Sequence, residues 1–432
     1  MQFERESIIK PVIFLFILIF IAFPGEKALA QKVYANVKDF GAVGDGKTDD
    51  YSALLKVVDF INSKGTGEVY FPDGTYYIAE YHDGKNDLQD LQFKNCDSLY
   101  IHGSNAVISV NGNFNRSVTK DDGKHKRSNI TAIVPLKINH CKNVTIENLE
   151  FNGNVDKMTR DAGVVEAASH LLIILESQNV SLTNLFLHHS QTDGIYIKGS
   201  TTKNITGKSI TSSNNARQGM SIIELTDATF TSCKFINTGI TEGKYGKHAP
   251  GAGVDIEPNT RKQKVNNIRF TGCLFENNSG SQFVCSAPVI SKNIFFNNCV
   301  FNSGIKSSKY SIIVNASNVV FEGCSFDCKN GAIYPVWHRD SVSSIFKRCN
   351  IKSNNSGFIA VNTFKISTVI IDGCVLEYTG TETVKSFFPY IRMQNLSFTN
   401  NVVQIPKQYQ KTIGTSTLIE SGNKSGTTFQ NN

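Results

Sequence analysis

Three stretches follow one template: Gly194-Ile195-Tyr196-Ile197-Lys198, Gly219-Met220-Ser221-Ile222-Ile223 and Gly253-Val254-Asp255-Ile256-Glu257. Each is a glycine followed by apolar residues at every second position, the pattern of a strand with one buried face. With the glycines aligned, Ile195, Met220 and Val254 share an inward column, and Ile197, Ile222 and Ile256 a second. Tyr196, Ser221 and Asp255 then point outward beside Lys198, Ile223 and Glu257, which predicts a polar, partly charged patch on adjacent strands.

The same register extends along the chain as two ladders. Asn143, Asn179, Asn204, Asn267, Asn293 and Asn318, with Asp227 in the same place, each precede a short apolar strand at spacings mostly near 25 residues. Asparagine and aspartate tolerate the left-handed conformation and bond locally to backbone, so stacking them at one corner of every coil has a physical reason. That role accounts for the Asn-x-Ser/Thr sequons among them without glycosylation. The second ladder is Cys233, Cys273, Cys299, Cys324, Cys349 and Cys374, each followed two positions on by Phe235, Phe275, Phe301, Phe326, Ile351 or Leu376. Leu149 and Leu185 fill the cysteine-ladder strand in earlier coils, so the slot is buried and apolar and its thiols are expected to be reduced and unbridged. Two coils carry extra residues before the template strand, at 153–168 and 237–252, and these insertions predict the walls of a groove.

Near the start, Asp39 to Asp50 is a loop rich in glycine and aspartate. It ends in N-cap residues before Leu54, Val57, Val58 and Ile61, one face of a short helix that stops near Gly65. Strands follow at Glu68–Phe71 and Thr75–Ile78, joined by a Pro72-Asp73-Gly74 turn. This opening resembles that of the pectate-lyase-like, glycoside-hydrolase-family-28-related superfamily. The resemblance implies a single-stranded right-handed parallel β-helix, an all-β solenoid, with an N-terminal capping helix. The expected organisation is a leader over 1–30, the solenoid over 31–406 with its cap in 31–80, and a C-terminal cap strand and tail over 407–432.

The leader reading rests on Lys10, the apolar run Val12–Phe23 and the small-residue site Ala28-Leu29-Ala30. It predicts a secreted or periplasmic protein without a membrane anchor after processing. The net charge of +7 favours an acidic partner such as a uronate or sulfated glycan, and the lack of clustered basic runs argues against nucleic acid. A monomer is expected. No Cys-x-x-Cys pair with a histidine partner is present, and neither metal nor cofactor is expected.

Asp255 and Glu257, two apart on one strand, face the same way with Cβ atoms about 6.5 Å apart. They are the expected acid and base, with Asp193 as a third catalytic carboxylate. Tyr196 and Lys198, on the second coil before theirs, would bind a neighbouring sugar. Arg217 would grip a carboxylate or sulfate, and Gln218 would orient a water or hydroxyl. Asp193 and Gln218 share parity with inward residues, so bonds to turn backbone are an alternative for both. His188 and His189 are candidates for a proton shuttle or a structural turn, and Asn259 completes the substrate-binding set. Compared with family 28 polygalacturonases, Gln191-Thr192-Asp193-Gly194 resembles the Asn-Thr-Asp segment. The Asp-Asp position reads Arg217-Gln218, and the Gly-His-Gly and Arg-Ile-Lys motifs are absent. Three readings follow: a hydrolase of an acidic glycan; a lyase or epimerase using Lys198, Tyr196 or His189 as base with Arg217 neutralising the uronate; and a non-catalytic glycan-binding solenoid.

Overall fold

Asparagine corners set the coil. Asn143, Asn179, Asn204, Asp227, Asn267, Asn293 and Asn318 all have φ between 52° and 59°, the left-handed turn expected of them. Their amides also bond from coil to coil: Asn179 Nδ2 donates to Asn143 Oδ1 at 2.9 Å, Asn204 Nδ2 to Asn179 Oδ1 at 2.9 Å, and Asn318 Nδ2 to Asn293 Oδ1 at 2.7 Å. The computed structural model describes residues 33–430 except 80–81, 84–89, 117, 122–125, 129–130, 162–168, 286–290, 305–309, 330–331, 336–341, 355–356, 360–366, 381–394 and 407–427.

Each coil has three sides. In one of them, Lys203–Lys208 carries the asparagine corner at Asn204, Thr211–Ser213 is the short second side, and Gln218–Ile222 is the third. Third sides stack into a nine-stranded parallel sheet, the site sheet. Its strands are β1 (Gln92–Lys94), β2 (Leu136–Asn139), β3 (Leu172–Leu175), β4 (Asp193–Lys198), β5 (Gln218–Ile222), β6 (Val254–Ile256), β7 (Phe283–Cys285), β8 (Tyr310–Val314) and β9 (Ala332–Pro335). Ile195 pairs with Met220 and Met220 with Val254, while Ile197, Ile222 and Ile256 form the next column. All six are buried, so the inward columns match the sequence expectation. The architecture is a parallel β-helix.

In-register stacking fills the interior with like on like. Phe235, Phe275, Phe301 and Phe326 stack at centroid separations of 5.5, 4.7 and 4.9 Å, and Phe230, Phe270, Phe296, Phe321 and Phe346 at 5.3, 5.1, 4.7 and 5.0 Å. Such ring pairs contribute about 0.5–1.5 kcal/mol each beyond the area they bury. The cysteine ladder lies alongside. All ten cysteines are buried and none forms a disulfide. Five thiols of the ladder donate to phenylalanine carbonyls of the preceding coil, as Cys299 Sγ does to Phe270 O at 3.5 Å and Cys349 Sγ to Phe321 O at 3.4 Å. A leucine fills the slot but cannot make that bond.

At the N-terminal end, α1 (Tyr51–Lys64) turns Leu54, Val57 and Val58 towards Phe71, Phe93 and Leu136 and ends on Gly65 at φ 67°. The cap differs from expectation in one respect. Asp50 makes no side-chain capping bond to the helix. Its buried carboxylate instead accepts from Val43 N at 2.6 Å, Gly44 N at 3.2 Å and Tyr77 N at 3.2 Å, which fastens the glycine-rich loop to a strand.

Among the described residues no helix is long and apolar enough to cross a membrane. The expected leader lies outside them, as does most of the expected tail, although Thr428–Gln430 pairs in parallel with Val402–Gln404.

The burial of every cysteine predicts that a thiol reagent reacts little with the native protein and with several thiols after unfolding without reductant. Full labelling of the native protein, or none after unfolding, would contradict this.

Candidate active site

The outward positions of β4, β5 and β6 form one column, with Tyr196 paired to Ser221 and Ser221 to Asp255. Tyr196 therefore lies two coils from Asp255, as the glycine alignment implied. The expected exposure is wrong for part of the patch: Ser221, Ile223 and Asp255 are buried at 0%, 1% and 3% exposure. Parity gives the face of a strand, and here side chains of adjacent coils close over that face. Tyr196, Lys198, Arg217 and Glu257 remain half-buried and form the accessible edge.

Asp193 is the hub, and it is completely buried. Its Oδ2 accepts from Ser221 Oγ at 2.7 Å and from an Arg217 guanidinium nitrogen at 3.0 Å, and lies 3.2 Å from His170 Nδ1. Despite its parity with Ile195, Asp193 thus bonds to side chains rather than to turn backbone, and the same holds for Gln218. Gln218 Nε2 donates to Asp255 Oδ2 at 2.9 Å and to Glu257 Oε1 at 3.4 Å. The second Arg217 nitrogen donates to the same Glu257 oxygen at 2.9 Å, so Arg217 ties Asp193 to Glu257.

This arrangement drives the two buried aspartates apart. Burial alone would raise Asp193, but His170, Arg217 and Ser221 outweigh it and hold its carboxyl below the usual carboxylate range. Asp255 moves the other way: burial first, then repulsion from Glu257, raise it well above that range against the pull of Arg217. Its Oδ1 has no hydrogen-bond partner among the described residues. Burial, with the charges of Asp193 and Glu257, pushes the Tyr196 phenol up to about 12. A buried carboxyl of raised proton affinity, a neighbouring carboxyl held low and a protonated phenol on one surface can donate and accept protons in separate roles.

His170 was missed by sequence reasoning. It precedes β3 at the register position of Asp193, stacks on Tyr196 at 4.4 Å and 21°, and lies 3.2 Å from Thr192 Oγ1. Its coil reads Ser169-His170-Leu171-Leu172, with no glycine to align, so only the histidine just after the first insertion marked it.

His188 and His189 are not brought into the cluster by any hydrogen bond or ring contact in the described structure. His188 Nε2 bonds Glu150 at 3.1 Å, and His189 Nε2 bonds Asp156 at 3.1 Å. His189 has φ 56° at a corner also occupied by Asn214, Asn237 and Asn277, which is the structural reading. Asn259 is exposed in a turn closed by its N–H to Gln263 Oε1 at 2.6 Å, apart from the carboxylates.

The insertions meet each other instead of standing as two separate walls. Asp156 Oδ1 accepts from Glu242 N at 2.9 Å, and Arg160 lies 5.1 Å from the Tyr245 ring centre. His248 N bonds Ala216 O at 2.7 Å, which sets the second insertion beside Arg217. Residues 162–168 of the first insertion lie outside the described residues. Among the described residues there is no group of three or more acidic, histidine or cysteine side chains placed to hold a metal.

Residues 117–334 match the family model of the right-handed beta helix region, and residues 34–81 match that of rhamnogalacturonase A/epimerase, pectate lyase-like. Alginate lyase 7 of Azotobacter vinelandii is 41% identical over 69 residues, 16% of this chain and 8% of that protein. Mannuronan C5-epimerase AlgE6 of the same organism is 45% identical over 128 residues, 28% of this chain and 13% of the relative. The matches thus span less than a seventh of either relative. The solved A-module of the Azotobacter vinelandii epimerase AlgE6 superposes with a TM-score of 0.62 at 13% identity, over 92% of this chain and 99% of the module. That likeness shows the right-handed parallel β-helix fold.

Two substitutions separate the roles of the aspartates. Asp193→Ala leaves Arg217 and His170 without their shared buried anion and is expected to cost about 3–5 kcal/mol at neutral pH. A carboxyl held low stabilises above its unfolded pKa near 3.9 and loses that contribution as pH falls through its folded value, so the deficit shrinks in acid. Asp255 has the opposite sign, its penalty growing as pH rises above about 3.9 towards its raised folded value. Asp255→Asn therefore gains stability relative to the parent as pH rises. Urea unfolding from about pH 2 to 8 measures both trends, the Asp193→Ala change falling below about pH 3.9 and the Asp255→Asn change above it, and equal slopes for the two variants would contradict the assignment.

Proposed function

The chain belongs to the right-handed β-helix family, and from that premise we propose that it is an acid–base enzyme acting on an acidic, uronate-bearing polysaccharide, removing the proton beside the sugar carboxylate. The observation that carries this reading is one hydrogen-bonded cluster in which Arg217 bridges Asp193 and Glu257 while the buried Asp255 carboxyl, its proton affinity raised by burial and by Glu257, is bonded to Gln218. Proton loss next to a carboxylate sends negative charge onto that group, and the reaction is fast only where preorganised donors or cations meet the charge as it develops. A neutral carboxylic acid and a guanidinium are such groups. Glu257, on the accessible edge, takes the role of base. Tyr196, protonated at neutral pH, takes the role of acid, giving its proton to the departing glycosidic oxygen in a lyase or to the opposite face of the ring in an epimerase. Lys198, one residue beyond the end of the apolar columns, would hold a neighbouring carboxylate. The relatives named for alginate lysis and mannuronan C5-epimerisation support the same choice of reaction class. The expected leader would deliver the enzyme outside the cytoplasm, and the chain would act as a monomer without a cofactor.

Hydrolysis is the second reading, favoured by Gln218. Its one amide nitrogen bonds both Asp255 and Glu257, which keeps their oxygens within two hydrogen-bond lengths. That upper bound, 6.3 Å as the sum of 2.9 and 3.4 Å, lies between the roughly 5–5.5 Å of retaining pairs and the roughly 6.5–9.5 Å of inverting ones, so the pair serves as acid and base without setting the stereochemistry.

Incubation with alginate, polygalacturonate and a hexuronate-containing glycosaminoglycan tests the proposal. The expected result on one of them is an ultraviolet-absorbing unsaturated end or an altered C5 configuration, with Asp255→Asn, Glu257→Gln and Tyr196→Phe each lowering the rate by about 10²- to 10⁴-fold. New saturated reducing ends would establish hydrolysis instead. Binding without any product would make the protein a glycan-binding solenoid.

A further inference from the structure

A groove of about 630 Å³ lies where the first and second sides of the early coils meet, and none of its lining residues belongs to the site sheet. We propose that it is a second, non-catalytic binding site for a neutral oligosaccharide. The inference stands independently of the reaction assigned to the carboxylate cluster.

The groove arises from a local break in register. His102 pairs with Glu147, but the next pair is Ala106 with Leu149, so Asp97–Val110 carries two more residues at this corner than its neighbour. The three residues between those pairs, Gly103-Ser104-Asn105, lie opposite the single residue Asn148 and line the groove. Gly103 permits this because a Cβ there would lie 2.6 Å from Leu149 Cδ2 and 2.7 Å from Asn148 O. The resulting concavity falls within the roughly 300–1,000 Å³ usual for small-ligand sites.

Phe186 supplies the first recognition element. It is 38% exposed, one of four large apolar residues exposed in the described structure, and it lines the groove. Its ring is braced: it stacks on His188 at 4.2 Å and 27°, and His188 Nε2 is held by Glu150 Oε1 at 3.1 Å. A fixed aromatic surface open to solvent suits the C–H face of a pyranose, because it offers contact area with little conformational entropy to lose.

The polar lining supplies the second element and sets the charge. Ser104, Asn105, Asn148, Asn184 and Thr211 present hydroxyls and amides, with Asn184 Nδ2 already donating to Asn148 Oδ1 at 2.8 Å. Glu150 is the only ionisable side chain among the lining residues, so no lysine or arginine offsets it. A uronate or sulfate would face the Glu150 carboxylate, bonded to the His188 imidazole, in a lining that holds no lysine or arginine. An uncharged sugar would instead find donors and acceptors for its hydroxyls. This is the reverse of the accessible edge of the site sheet, where Lys198 and Arg217 stand.

Titration calorimetry of the full-length mature protein with three hexaoses tests the proposal: β-1,4-linked glucose, β-1,4-linked mannose and α-1,4-linked glucose, with an oligoguluronate of the same length as the charged control. At least one neutral hexaose is expected to bind, with affinity reduced tenfold or more in Phe186→Ala and in Phe186→Leu, the second of which keeps apolar volume without a ring. Activity on the acidic polysaccharide should stay at the parent level in both variants. Failure of all three hexaoses to bind, or binding that both variants retain, would overturn the site. Oligoguluronate binding that the Phe186 variants abolish would overturn its preference for neutral sugar.

Discussion

Apart from local shifts such as the one beside Gly103, the described coils lie in register, each on the one before it, so a residue must be compatible with its equivalents above and below. That constraint decides which residues repeat. Aromatic rings gain by stacking, buried thiols can donate to the carbonyl of the preceding coil, and an asparagine amide has a donor for one neighbour and an acceptor for the other. Charges of one sign cannot be repeated in this way without repulsion. The interior and the corners are accordingly ladders of like residues, whereas the outward column of the site sheet runs Ile173, Tyr196, Ser221, Asp255, Val284 without repetition. Chemistry enters where the ladder is broken.

Around Asp193 the charges follow from the same geometry. Three carboxylates, Asp193 on β4 and Asp255 and Glu257 on β6 and at its end, would repel one another, and Arg217 lies between two of them. The arginine cannot neutralise all three. Asp193 and Glu257 have its nitrogens, and Asp255 has a glutamine amide and a raised affinity for its proton. The insertion that ends at Ala252 bonds through His248 to the residue before Arg217, so the length of one irregular segment is linked to the position of the central cation.

Much of the fold was legible because a solenoid writes its register into the sequence. The asparagine ladder, the cysteine slots and the glycine-aligned columns each repeat at the coil period, and all three appear in the structure. The site was legible only in part. Asp193, Arg217, Gln218, Asp255 and Glu257 do come together, but their bonding was not foreseen, since alternation says which way a strand residue points and not what covers it. His170 had no glycine to mark its coil. His189 drew attention as a titratable group, yet it fills a left-handed corner that asparagine fills elsewhere. Asp50 looked like a helix cap, and its carboxylate went to the backbone of a loop that no local pattern could have paired with it.

The central claim is that this broken ladder raises the proton affinity of Asp255 and lowers that of Asp193 within the Arg217 cluster. Carbon-detected NMR of protein labelled at aspartate side chains, with Asp255 assigned from the Asp255→Asn spectrum, measures it directly. The account predicts an Asp255 carboxyl resonance that titrates well above the ordinary aspartate range and an Asp193 resonance that titrates below it. An Asp255 resonance that titrates near 4, like a solvated carboxylate, would contradict it.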